Sequence, residues 1–186
     1  SEGQVVESSA LKPSREQIEA ELVQFRGEIE QVPPMYSAIK VNGKPLYRLA
    51  REGITIDREP RHFLIVYLEL TEYAYPFIEI SLRCSHGFYV RGLADDLGKA
   101  LGCGGHVSAL RRLGVADLTV DDSMTMEALS SLADQTERRK SLVPADQGLC
   151  HIPEVRLSVD AAYYLCRGQA VRAAGLPQHG EVRIYS

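Results

Sequence analysis

Residues 62–101 constrain the fold more tightly than any other part of the sequence. Residues 62–70 form an almost unbroken apolar run, as expected of a strand buried on both faces. The next strand, Phe77–Cys84, alternates instead. Ile78, Ile80, Leu82 and Cys84 face one side, and Glu79, Ser81 and Arg83 the other. Ser85-His86-Gly87 breaks the alternation, and Phe88-Tyr89-Val90 enters a helix expected to reach about Leu101. Gly102, Gly104 and Gly105 stop that helix.

Elements on either side are shorter. Ser14-Arg15-Glu16-Gln17 has the form of a capping box. Ile18, Leu22 and Phe25 then lie on one helical face before Gly27, which predicts a helix over residues 14–25. Pro33-Pro34 forbids regular helix and holds the chain extended. Asn42-Gly43 reads as a turn, followed by a short helix over 45–51 that ends near Gly53. A short strand is expected over 115–120, and Thr125 should cap a helix bearing Met126, Leu129 and Leu132. Residues 133–145 are charged and weakly apolar, as at the approach to a domain boundary. Beyond them a strand is expected at 154–157. A helix capped by Ser158 should run to Arg167 with Gly168 at its C-terminal end, and strands at 169–172 and 181–185 should follow. Interleaved strands and helices indicate an α+β protein with a largely antiparallel sheet.

With 186 residues, 45% of them hydrophobic and 25% charged, the chain is excluded from the disordered, collagen-like and disulfide-stapled classes. No apolar run is long enough to span a membrane. Cys84, Cys103, Cys150 and Cys166 are unevenly spaced, which fits thiols in a reducing compartment, and the expected location is the cytoplasm. The chain starts Ser1-Glu2-Gly3-Gln4 without an initiator Met and stops within an expected strand. The expectation is therefore a piece of a longer protein.

The net charge is −4, so attraction to a polyanion has to come from charge placement. Between Gln31 and Arg51 lie Lys40, Lys44, Arg48 and Arg51, with Tyr36 and Tyr47 among them and no acidic residue. That mixture suits RNA with unstacked bases, the alternative being a solvated loop face. A second basic cluster comprises Arg83, Arg91, Lys99, Arg111 and Arg112, and outweighs Asp95 and Asp96. Cys103 and His106 are two residues apart, but no second pair has zinc-ligand spacing, so no metal is expected. No nucleophile elbow, phosphate loop or dinucleotide glycine pattern is present. Asp95 and Asp96 are neighbours on the expected helix and point about 100° apart.

Longer strings say more. Gln31-Val32-Pro33-Pro34-Met35-Tyr36-Ser37-Ala38-Ile39-Lys40 and Gly43-Lys44-Pro45-Leu46-Tyr47-Arg48-Leu49-Ala50-Arg51-Glu52-Gly53 closely resemble the bacterial-type tRNA pseudouridine-55 synthases, the TruB family. Cys84-Ser85-His86-Gly87-Phe88-Tyr89-Val90-Arg91, Asp95-Asp96-Leu97-Gly98, and the strings over 101–107 and 110–113 continue the resemblance in order. It implies a pseudouridine-synthase fold, with the C-terminal part of the catalytic domain over residues 1–150. The start of a PUA-type RNA-binding β-barrel is implied over 151–186.

The resemblance further implies isomerisation of a T-loop uridine in tRNA to pseudouridine, with no metal or cofactor and with the T-arm as partner of a monomeric enzyme. Arg91 matches the arginine that pairs with the catalytic aspartate, Tyr89 a residue contacting the flipped base, and Leu110 an apolar wall of that pocket. The segment carrying Tyr36, Lys40, Lys44, Arg48 and Arg51 matches the insertion that grips the T-arm; Arg111 and Arg112 are further RNA-binding candidates. The aspartate belongs to a glycine-rich motif that should precede Ser1, and neither Asp95 nor Asp96 matches it. The chain alone is therefore expected to be inactive. The sequence departs from the family where His86-Gly87-Phe88 replaces Lys-Gly-Thr and Gly92 replaces Thr. Two other readings stay open at this point, an RNA-binding module or tRNA-folding factor without catalysis, and the RNA-guided branch of the synthases.

Overall fold

The computed structural model describes Val5 and residues 7–186; the initial Ser1-Glu2-Gly3-Gln4 lies outside them. The chain divides into two compact units between Leu110 and Arg111.

The first unit opens with helix α1, Arg15–Leu22, extended by a 3₁₀ turn over Val23–Phe25. Its capping box is complete: the Ser14 hydroxyl accepts from the Gln17 N–H, and the Gln17 side chain accepts from the Ser14 N–H. Strand β1, Gly27–Gln31, follows, where the sequence offered only Gly27 as a helix stop. Strands β2 (Lys40–Val41) and β3 (Lys44–Pro45) form a small ladder around Asn42-Gly43, both with positive φ, as a tight hairpin turn requires. Helix α2, Leu46–Arg51, starts from Pro45. Strands β4 (Arg61–Ala74) and β5 (Phe77–Cys84) pair antiparallel, and β1 pairs antiparallel with the other side of β4. Helix α3, Val90–Ala100, closes the unit.

The core lies between one face of this sheet and the two long helices. Ile18 and Leu22 of α1 and Leu93 and Leu97 of α3 pack with Ile65, Leu68 and Leu70 of β4. Arg15 and Arg26 add polar ties by donating to the Leu70 and Leu68 carbonyls at 3.1 Å each.

The expectation that residues 62–70 are buried on both faces is overturned. Phe63, Ile65, Leu68 and Leu70 are buried, but Leu64, Val66 and Tyr67 are exposed, Val66 by 64%. The cause is a β-bulge between Ile65 and Tyr67, which places Val66 as an extra residue against β5. It shifts the inward phase by one residue, so an amphipathic strand reads as a continuous apolar run.

In the second unit the expected strand over 115–120 is a hairpin of β6 (Gly114–Val115) and β7 (Leu118–Thr119), turned at Ala116, whose φ is +51°. Thr125 caps helix α4, Met126–Ser131, as expected. Helix α5, Gln135–Lys140, lies where only a charged connection was foreseen. It carries no apolar stripe and is defined by Asp134, which accepts from the Thr136 and Glu137 N–H groups, and by Arg138, Arg139 and Lys140 in its last turn. Strand β8 (Glu154–Arg156), helix α6 (Val159–Leu165, capped by Ser158) and β9 (Arg183–Tyr185) complete the chain. Here β8 and β9 pair parallel across the helical crossover. Residues 169–172 form no strand, contrary to expectation, because no neighbouring segment supplies a ladder.

Glycines at the end of α3 allow backbone-to-backbone packing. A Cβ on Gly98 would lie 2.2 Å from the Gly104 carbonyl carbon and the Gly105 nitrogen, and one on Gly105 would lie 2.5 Å from the Ala94 oxygen. Gly98→Ala is therefore expected to lower the unfolding free energy by roughly 1–3 kcal/mol or more, read from the urea midpoint.

A polar cluster ties β9 to the preceding connection. The Asp146 carboxylate accepts from the Tyr185 hydroxyl and, at 3.3 Å, from the Arg183 guanidinium, which also donates to the Ile152 carbonyl at 2.9 Å. The Tyr185 hydroxyl, then a backbone hydrogen bond, holds the Asp146 carboxyl below its ordinary pKa. A depressed carboxylate stabilises the fold above its unfolded pKa of about 3.9, and this contribution fades as the pH falls through the lower folded value. Hydrogen-exchange protection of Arg183–Tyr185 should accordingly drop in acid below about pH 4. In Asp146→Asn protection should be weaker at neutral pH and lack that acid step.

Candidate functional site

Two segments far apart in sequence meet at the start of α3. Tyr89 is the N-cap of that helix, and its hydroxyl-bearing side chain makes no capping bond. Its backbone is held by Gln31, the last residue of β1. The Tyr89 N–H donates to Gln31 Oε1, and Gln31 Nε2 donates to the Tyr89 carbonyl, both at 3.0 Å. Gln31 is only 5% exposed. Its amide lies against Gly92, where a Cβ would come within 2.5 Å of Gln31 Nε2.

Arg91, in the first turn of α3, is exposed, and its Nη2 donates to the Tyr36 carbonyl at 2.9 Å. Among the described residues no carboxylate pairs with it. The Tyr36 residue is itself 57% exposed. The connection from β5 is fixed from the other side: the Ser85 N–H donates to the Leu64 carbonyl at 2.8 Å, and Phe88 meets Phe63 edge to face at 5.7 Å.

Lys40 and Lys44 stand exposed on the β2–β3 hairpin, and Arg48 and Arg51 lie on α2, with Arg51 exposed. The Arg51 guanidinium lies over the Tyr47 ring at 5.4 Å. None of the four basic groups is in an ion pair among the described residues, so this stretch presents uncompensated positive charge. Further along α3, Lys99 pairs with Asp95 at 2.6 Å and lies 3.9 Å from Asp96, and the Asp95 hydrogen bond raises the pKa of the lysine ammonium. These three side chains form a surface ion-pair group of the kind that helical spacing favours.

Leu110 is 66% exposed in irregular chain at the end of the first unit, and Arg111 and Arg112 are exposed at the beginning of the second. Among the described residues no group of three or more His, Cys, Asp and Glu side chains is arranged to hold a metal ion, and no helix is long and apolar enough to cross a membrane.

Comparison with known proteins identifies this arrangement. The family model for the TruB family pseudouridylate synthase N-terminal domain matches residues 1–90. The tRNA pseudouridylate synthase B C-terminal domain matches 91–150, and the pseudouridine synthase II TruB C-terminal model matches 153–186. The chain belongs to the TruB family. A TruB-family relative, the tRNA pseudouridine synthase B of Stutzerimonas stutzeri (strain A1501), is 45% identical over 186 residues, covering 98% of this chain and 61% of that protein. The enzyme of the same name from Haemophilus influenzae (strain PittEE) is 44% identical over 189 residues, covering 100% of this chain and 62% of the relative. The chain thus spans a little over three-fifths of the length of these TruB relatives. A solved Cbf5-Nop10-Gar1 complex superposes with a TM-score of 0.70 at 23% identity, over 93% of this chain and 52% of that one. An H/ACA RNP bound to a substrate RNA containing 2'-deoxyuridine gives 0.65 at 20% identity, over 95% and 52%. At that identity the likeness speaks to the fold, which is the mixed helical and largely antiparallel pseudouridine-synthase architecture.

Of the TruB candidate residues, the structure brings Arg91 against Tyr36 and sets Tyr89 at the head of the same helix. Gln31 escaped the sequence reading. Its partner is 58 residues away, and nothing local distinguishes a clamping amide from a solvated one.

Proposed function

We propose that the whole protein carrying this chain isomerises uridine 55 in the T-loop of tRNA to pseudouridine. The observation that carries the reading is the tie between Arg91 and the Tyr36 carbonyl, which joins a basic, acid-free segment to the head of α3. The relatives named tRNA pseudouridine synthase B support the substrate class.

In this reading the target base leaves the loop stack, its N1 bond to the ribose breaks, and the freed uracil turns and rejoins through C5, which gives up its hydrogen as a proton while N1 takes one up. Flipping is required because the reacting atoms are inaccessible in the stacked loop. Tyr89 contacts the flipped base and Leu110 supplies an apolar wall. Arg91 holds a nucleophilic aspartate that is not assigned to any residue of this chain. A guanidinium has five N–H donors, so the bond to the Tyr36 carbonyl leaves others for a bidentate carboxylate contact. That fixed positive partner keeps the carboxylate ionised and oriented as the pocket closes. Tyr36, Lys40, Lys44, Arg48 and Arg51 grip the T-arm, with Arg111 and Arg112 as further phosphate contacts. Residues 1–150 form the synthase part and 151–186 the start of an RNA-binding PUA-type domain. The protein acts as a cytoplasmic monomer.

Arg91→Ala in the whole protein should reduce turnover by about 10²–10³-fold while preserving most tRNA affinity, the effect of removing one preorganised electrostatic contact. Arg91→Lys should not restore it, since a point charge cannot replace the planar fork. Tritium release from labelled uridine measures both, and wild-type turnover in Arg91→Ala would refute the pairing role. The isolated 186-residue chain should release none.

Lys40→Ala combined with Lys44→Ala should weaken tRNA binding most at low salt. The log–log salt dependence should flatten by roughly 0.7–0.9 for each phosphate that is no longer neutralised. The weakening should be alike for any tRNA with an ordinary T-arm, because phosphate contacts position RNA without reading its sequence. Titration at two ionic strengths checks this. Unchanged affinity at both would mean that the hairpin is a solvated loop.

A further inference from the structure

We propose that Gln31 is a positioning residue for the reaction, acting through the backbone of Tyr89. The proposal rests on the functional reading above and adds to it a residue that touches neither base nor aspartate.

A buried amide side chain is costly unless both its donor and its acceptor are used. Gln31 uses both on a single residue. Oε1 accepts from the Tyr89 N–H and Nε2 donates to the Tyr89 carbonyl, in the manner of one rung of an antiparallel ladder. Two bonds to one residue's backbone fix its rotation as well as its place. They therefore set the direction in which the Tyr89 side chain leaves the backbone. They also anchor the first turn of α3, whose N-cap residue offers no capping side chain.

Gln31 is well placed for this role. It ends β1, where it pairs with Arg61 of β4, so its own backbone is held by the sheet. Five residues later, beyond Pro33-Pro34, the Tyr36 carbonyl accepts from Arg91. Residues 31–36 and 89–91 are thus joined at two points, Gln31 to Tyr89 and Tyr36 to Arg91. The two prolines between them limit how far one tie can move without the other. The Gly92 position, without a side chain, leaves the room the Gln31 amide occupies. Without the Gln31 tie, the Ser85 end of the connection would stay fixed and the Tyr89 carbonyl would still accept from the Gly92 and Leu93 N–H groups, but the Tyr89 N–H would lose its partner and the residue its anchor to β1. The side chain set against the flipped base would then lose its alignment.

The test uses the whole protein with tRNA as substrate. Gln31→Met keeps the length and fills the space but takes away the partner of the Tyr89 N–H, while the Tyr89 carbonyl keeps its bonds from the Gly92 and Leu93 N–H groups. Gln31→Glu keeps the acceptor and loses the donor until its carboxyl is protonated. We expect Gln31→Met to lower kcat by about tenfold to a hundredfold, the scale on which a small misplacement of a reacting group acts. KM should stay within about twofold, at a temperature where the variant is fully folded by circular dichroism. The deficit of Gln31→Glu should shrink as the pH is lowered from about 8 to about 6, because burial raises the carboxyl pKa and protonation restores a donor. Should Gln31→Met not fold, Gln31→Glu and its pH profile carry the test. Hydrogen exchange at the Tyr89 amide should show protection in the wild type and lose it in Gln31→Met. An unchanged kcat in a folded variant, a change confined to KM or melting temperature, or an unprotected wild-type Tyr89 amide would overturn the proposal. A wild-type protein with no pseudouridine-forming activity would instead remove the functional reading and this role with it. The Tyr89 amide would then still report whether the clamp itself exists.

Discussion

The first unit depends on burying one face of the β1–β4–β5 sheet under α1 and α3. Ile65, Leu68 and Leu70 supply the sheet side, and Ile18, Leu22, Leu93 and Leu97 the helix side. Removing apolar surface from water is the main stabilising term available to a unit of this size. It also has a directional consequence. Once Leu93 and Leu97 are seated, the rotation of α3 is settled, and Arg91 in its first turn is directed outward toward the extended segment after β1. The placement of Arg91 is an outcome of how the other face of the helix packs.

Polar contacts refine what the core sets coarsely. Gln31 and Ser85 fix the two ends of the β5–α3 connection through backbone hydrogen bonds, Gln31 supplying the partner of the Tyr89 N–H. The glycine-rich turn after α3 works differently. Gly98 and Gly105 let two backbone stretches touch where a side chain would not fit, so that the chain reverses directly against the helix. Close backbone packing thus accounts for the glycines of the Leu97-Gly98 and Gly104-Gly105 strings.

Charge is segregated along the chain. Although its net charge is −4, it still offers an uncompensated basic surface, because its acidic residues lie outside residues 31–51. Asp95 and Asp96, the acid pair nearest to Arg91 in sequence, are engaged by Lys99. In the second unit Asp146 serves the fold, holding the parallel β8–β9 pair through Tyr185 and Arg183.

Local signals in the sequence were sufficient for several elements. The Ser14–Gln17 capping box, the Asn42-Gly43 turn, the alternation of Phe77–Cys84 and the caps at Thr125 and Ser158 each depend on residues within a few positions of one another. The strings around Pro33-Pro34 and Tyr89-Val90-Arg91 carried the family and its candidate residues for the same reason. Other features were settled only by tertiary structure. The bulge at Val66 depends on the register of β5, and β1 on a partner strand that begins thirty residues further along the chain than Gln31. Helix α5 has no apolar period to announce it, and residues 169–172 have no ladder to join. The Gln31–Tyr89 and Tyr36–Arg91 ties span 58 and 55 residues. A side chain's own neighbours in sequence determine turns, caps and periodicity. Which amide is buried, and which carbonyl an arginine meets, is decided when distant segments are brought together by the burial of the core.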